Sequence, residues 1–171
     1  MAAFLYGGPL AAVGAPADIH TTQRNPLGIK VAGQDANGLY GEWVYAIGVA
    51  NTAQGSWVNL DGTVSTYQTA LLDTNAAATV IGRIAVAMVD VDAAEYGWYQ
   101  VYGQVAGLTL ASATDAKNAF ATSTAGSVDD ANAGAETTVF GAFYLTAADT
   151  PVSGQSYFLL NHPFMIGITL D

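Results

Sequence analysis

Residues 79–91 read TVIGRIAVAMVDV. Strand alternation divides them into Val80, Gly82, Ile84, Val86 and Met88 on one face, and Ile81, Arg83, Ala85, Ala87 and Val89 on the other. Both faces are largely apolar, which predicts a central strand covered on both sides. A strand of that kind needs further layers, and the flanking sequence offers them.

Strand-like runs recur on either side: GIKVAG (28–33), LYGEWVYAIGVA (39–50), SWVNL (56–60), GWYQVYGQVAGLTL (97–110), TTVFGAFYL (137–145), then SYFLL and FMIGITL. Turn chemistry separates them at Asp35-Ala36-Asn37-Gly38, Ala53-Gln54-Gly55 and Asn59-Leu60-Asp61-Gly62. No long amphipathic helix intervenes, so the chain is expected to be all-β, a compact barrel or sandwich. Residues 111–135 are small and polar and are read as a long loop or a short helix around 114–120. Residues 1–27 carry Pro9, Pro16 and Pro26 and show neither period, which predicts an extended N-terminal arm ahead of a single β domain at 28–171.

Only 11% of the 171 residues are charged, against about 25% in an ordinary soluble domain. Such a surface is expected to be covered by neighbours, and so to belong to an oligomer. Four Lys and Arg stand against 14 Asp and Glu, a net charge of −10. The cations Arg24, Lys30, Arg83 and Lys117 are scattered, so neither nucleic acid nor an anionic membrane is an expected partner. No apolar run reaches the length of about 20 residues that a membrane span needs. The N-terminus lacks a basic stretch and is interrupted by Gly7-Gly8-Pro9, which argues against a signal peptide.

Catalytic and cofactor chemistry is not indicated. There is no cysteine, no nucleophile elbow and no phosphate loop. His20 lies in the proline-rich arm and His162 precedes Pro163, positions that suit surface or packed residues better than a general base. Asp90 and Asp92, and Asp129-Asp130, offer hard oxygen ligands but no recognised spacing for calcium. No enzyme activity, metal or cofactor is therefore expected. Glu42 beside Trp43, and Glu95 three residues before Trp98, leave a carbohydrate-binding β-sandwich module as the alternative.

Residues 95–105, EYGWYQVYGQV, carry the positive expectation. Their glycines permit bending and close backbone approach, as small barrels require. Alternation places Trp98, Gln100, Tyr102 and Gln104 on one face, apolar yet able to hydrogen-bond, which is the composition of an interface. Trp98, Gln100 and Tyr102, with Trp57, are the expected subunit or shell contacts. In the arm, Phe4, Leu5 and Tyr6 form an apolar tip that a partner would bury, with Arg24 and Lys30 at its root.

The glycine and strand rhythm of GLYGEWVYAIGVA (38–50), GSWVNLD (55–61), VIGRIAVA (80–87) and YGWYQVYG (96–103), with TAGSVDDA (124–131), resembles tailed-bacteriophage head decoration, or capsid cement, proteins. The resemblance spans roughly residues 30–145. It implies a compact β-barrel-like virion protein on the outer capsid surface, typically a homotrimer. Its partners would be the major capsid protein and further copies of itself, and its role would be bracing capsomer joints without enzymatic activity. No individual functional residues carry over from the family.

Overall fold

A computed structural model describes residues 4–6, 14–34, 38–63, 67–74, 82–131 and 138–166. Among these the chain is all-β, with no helix and hence none long and apolar enough to cross a membrane. Eleven strands form one sheet: β1 (Phe4–Tyr6), β2 (Lys30–Gln34), β3 (Tyr40–Ile47), β4 (Trp57–Thr63), β5 (Gln68–Leu71), β6 (Gly82–Ala87), β7 (Tyr96–Leu108), β8 (Asn118–Ala121), β9 (Val128–Asp129), β10 (Thr138–Tyr144) and β11 (Gln155–Met165). The order is β1-β2-β3-β5-β4-β6-β7-β11-β10-β8-β9, with added pairings of β3 to β7 and β6 to β11.

Those added pairings curl the sheet. β7 runs antiparallel to β3 from Ile47↔Tyr96 to Gly41↔Gly103, so the path β3-β5-β4-β6-β7 returns on itself. Only Ile47↔Gln68 joins β3 to β5 in parallel, and that one contact completes the ring. Val44, Ala46, Val58, Leu60, Ala85, Ala87, Tyr99 and Val101 fill it. The opposite faces of β4 and β6 send Trp57, Ile84 and Val86 into a second core with Val139, Ala142, Tyr144, Phe158 and Leu160. β6 is thus a wall shared by two cores, which is why both of its faces are apolar. In the second core the Phe158 ring meets Trp57 edge-on at 4.8 Å between centroids.

Residues 14–29 are irregular, with turns closed by Asp18 N–H to the Ala15 carbonyl and Ile29 N–H to the Pro26 carbonyl, but they are not free. His20 exchanges both backbone hydrogen bonds with Tyr96, at 2.8 and 2.9 Å. Leu27 and Ile29 pack over a third cluster of Val31, Trp43, Tyr45 and Trp98. β1 continues the sheet antiparallel to β2, with Leu5 opposite Gly33. The segment from 111 to 131 holds β8 and β9 where a loop or short helix is expected. Alternating Ala119 and Ala121 are both fully buried, and that burial selects strand over helix for a sequence of weak intrinsic preference.

Candidate functional site

The expected interface on β7 is spent inside the molecule. Trp57 and Trp98 have no exposed surface and Gln100 is 3% exposed, so none of the three is available to another subunit. Trp98 lies under the 14–29 segment, and Trp57 donates its indole Nε1 proton to the Leu108 carbonyl at 3.1 Å. The Gln100 amide donates to the carbonyls of Tyr102 and Gln104, each at 3.0 Å, and so supports the backbone around Gly103. The face does have an interface composition, but its partners lie within the chain: Leu27 and Ile29 over the Trp98 cluster, and backbone carbonyls for Gln100. Tyr102 remains half-buried, its ring 5.4 Å from that of His162.

The expected docking arm is likewise turned back on its own sheet. The side chains of Phe4, Leu5 and Tyr6 lie outside the described residues, although their backbone forms β1. Arg24 donates its backbone N–H to the Tyr45 hydroxyl at 3.4 Å. Lys30 belongs to β2 and pairs with Glu42 of the neighbouring strand at 2.7 Å, so its acidic partner is internal. That ammonium is the main cause holding the Glu42 carboxyl below its ordinary range.

The tryptophans expected beside the candidate carboxylates offer no sugar platform. Trp43 and Trp98 are both fully buried, and Glu95 accepts a turn hydrogen bond from the Asp92 N–H at 2.9 Å. Asp90 accepts from the Gln54 N–H at 2.7 Å, and Asp130 accepts from both the N–H and the hydroxyl of Thr114. Among the described residues no three His, Asp or Glu side chains gather as a metal centre would need.

What the structure does present is an aromatic face on β8, β10 and β11. Phe140, Phe143, Leu159 and Phe164 are 44%, 46%, 45% and 43% exposed. Phe140 pairs across the ladder with Phe164, and Phe143 with Leu159. The rings of Phe140 and Phe164 stack at 5.3 Å with an interplanar angle of 20°. Phe120 extends the face on β8, since its neighbours Ala119 and Ala121 point into the core and it lies opposite Thr138 of β10. Four of the six phenylalanines in the chain therefore point away from the second core, while Phe158 occupies it.

Two matched irregularities create this face. Strict alternation would put Phe140 and Phe143 on opposite sides, but the register shifts between Phe140 and Ala142, where Gly141 has φ of +77°. On β11 the alternation changes at Asn161 and His162, both exposed, and His162 has φ of +47°. Phe164 then turns outward on the same side as Leu159. The irregularities abut: a Cβ on Gly141 would lie 2.6 Å from the Asn161 carbonyl oxygen. The signals in the sequence are the Phe-Gly step at 140–141 and the Asn-His-Pro interruption at 161–163.

The sequence matches no protein-family model and no characterised protein in the comparisons made. Within the molecule, the fold and this face define an all-β chain with an exposed aromatic surface.

Proposed function

We propose that this chain is a non-catalytic structural protein of a virion exterior, a head decoration protein, and that its β8–β10–β11 face is buried in the assembly. The observation that carries the reading is the outward set Phe120, Phe140, Phe143 and Phe164 in a chain with only 11% charged residues. Covering what remains exposed of Phe140, Phe143 and Phe164, under half of each, is worth about 0.7–1.3 kcal/mol apiece, and an isolated soluble domain rarely leaves several such rings contiguous in water. Homotrimer formation and seating on the major capsid protein give that face its cover. A net charge of −10 suits the outside of a shell better than the nucleic-acid-facing lumen.

The reading frames beside this one test the class: capsid and portal genes there support it, and genes of carbohydrate metabolism overturn it. With shells assembled from the neighbouring capsid gene, the protein should cosediment, and Phe140→Thr/Phe143→Thr should abolish cosedimentation without unfolding the chain. Equal cosedimentation of wild type and double variant would remove the aromatic face from the docking role.

A further inference from the structure

A second feature adjoins the aromatic face, since His162 and Pro163 of its lining precede Phe164 and its Arg83 pairs with Phe164 across β6 and β11, but it is independent of the decoration reading. At one end of the β3-β5-β4-β6-β7 ring a cavity of about 330 Å³ opens between strands. Its walls are Val44 of β3, Leu60 of β4, Ile84 of β6, Val101 of β7 and Pro163 of β11. Lys30, Arg83 and His162 complete the lining. Two of the four Lys and Arg residues in the chain, and one of its two histidines, thus converge on one apolar recess.

The surrounding contacts hold these side chains in place. Lys30 Nζ lies 2.7 Å from Glu42 Oε2, and His162 Nε2 lies 3.7 Å from the same oxygen, so Glu42 tethers both. The guanidinium of Arg83 sits 5.4 Å from the centroid of the Tyr67 ring. His162 is fixed by its left-handed backbone and by the Tyr102 ring beside it. The volume falls at the small end of the range of about 300–1,000 Å³ for ligand pockets, which are mostly apolar with a few placed polar groups.

We propose that this recess binds a small amphiphilic carboxylate, its alkyl or aryl body against Val44, Leu60, Ile84 and Val101 and its carboxylate among Lys30, Arg83 and His162. Apolar walls favour the body, and charge-assisted donors favour the head over a neutral group of the same length.

Octanoate is the probe. Titrated into the ¹⁵N-labelled full chain, it should shift the amides of Val44, Leu60, Val101 and His162 in a saturable manner. Octanol, with the same chain and no charge, should bind about tenfold more weakly. Lys30→Gln and Arg83→Gln should each weaken octanoate by a similar factor, whereas Lys117→Gln, remote from the lining, should not. The comparison of octanoate with octanol needs no variant and remains decisive if Arg83→Gln fails to fold. Equal binding of the two probes, shifts confined to the β8–β10–β11 face, or no saturable shift at all would each overturn the proposal.

Discussion

Gly41 and Gly103 face each other across the β3–β7 ladder, and neither position has room for a side chain. A Cβ on Gly103 would collide with the Tyr40 carbonyl oxygen and come within 3.2 Å of the Gly41 Cα. Gly103 also has φ of +95°. Gly103→Ala is therefore expected to lower the unfolding free energy by more than about 2 kcal/mol, combining backbone strain with overpacking. Gly154 has φ of +77° but open space around it, so Gly154→Ala should cost only about 1 kcal/mol. Urea unfolding of both variants checks the difference. Equal losses would mean that close approach of the two strands is not what Gly103 provides.

The Gln100 side chain spans that same bend. Replacing it with the similarly sized Met leaves the Tyr102 and Gln104 carbonyls without their amide donor in a site that water scarcely reaches. A loss of about 1–3 kcal/mol is expected. The same variant should leave association between copies unchanged, since Gln100 is buried within its own chain. A shift in sedimentation with no change in stability would restore the interface role for this residue.

Trp43, Trp57 and Trp98 are the only tryptophans, and all three are fully buried. Their emission should be blue-shifted and poorly quenched by acrylamide. It should also stay constant as the protein is diluted through any association equilibrium, because no tryptophan has exposed surface for association to cover. A red shift on dilution, with the fold intact by circular dichroism, would place a tryptophan at the contact after all.

The aromatic face and the core should respond oppositely to truncation. Phe140→Thr/Phe143→Thr is expected to change stability by less than about 1 kcal/mol, as strand-compatible surface substitutions do. Phe158→Ala removes the ring packed on Trp57 and should lose about 3–5 kcal/mol. Thermal unfolding separates the two cases, and a double variant as damaged as Phe158→Ala would show that the exposed rings support the fold.

Acid should loosen the N-terminal segment through His20. Its ring Nδ1 lies 3.0 Å from the Tyr45 hydroxyl in a buried site. Burial first, and the Arg24 charge second, lower its pKa from the ordinary value of 6.5, with Asp18 opposing them. The unfolded state then binds the proton more readily, so this stabilisation is complete above the ordinary value and is lost as pH falls through the folded one. Protection factors across residues 14–29, taken relative to the intrinsic exchange rate at each pH, should fall from about pH 7 to pH 5, and His20→Gln should flatten that dependence. Matching pH profiles in wild type and variant would assign the effect to other groups.

The sequence by itself determined the fold class and the position of most long strands, because strand alternation and turn residues are local properties. It also showed β6 as a strand with two covered faces, since residues 82–87 alternate between two apolar sets that the structure sends into two cores. It did not show which apolar face would be left outside. Trp98 and Gln100 have an interface composition, and only the return of residues 14–29 over Trp98, with the bend of β7 that brings the Tyr102 and Gln104 carbonyls to Gln100, decides that their partners lie within the chain. Nor did alternation locate the aromatic face. Phe140, Phe143 and Phe164 reach one side only because the β10 and β11 irregularities at Gly141 and at Asn161-His162 fall beside each other. Each irregularity reverses the parity of every residue after it, so side-chain direction there depends on strand pairing and not on local sequence.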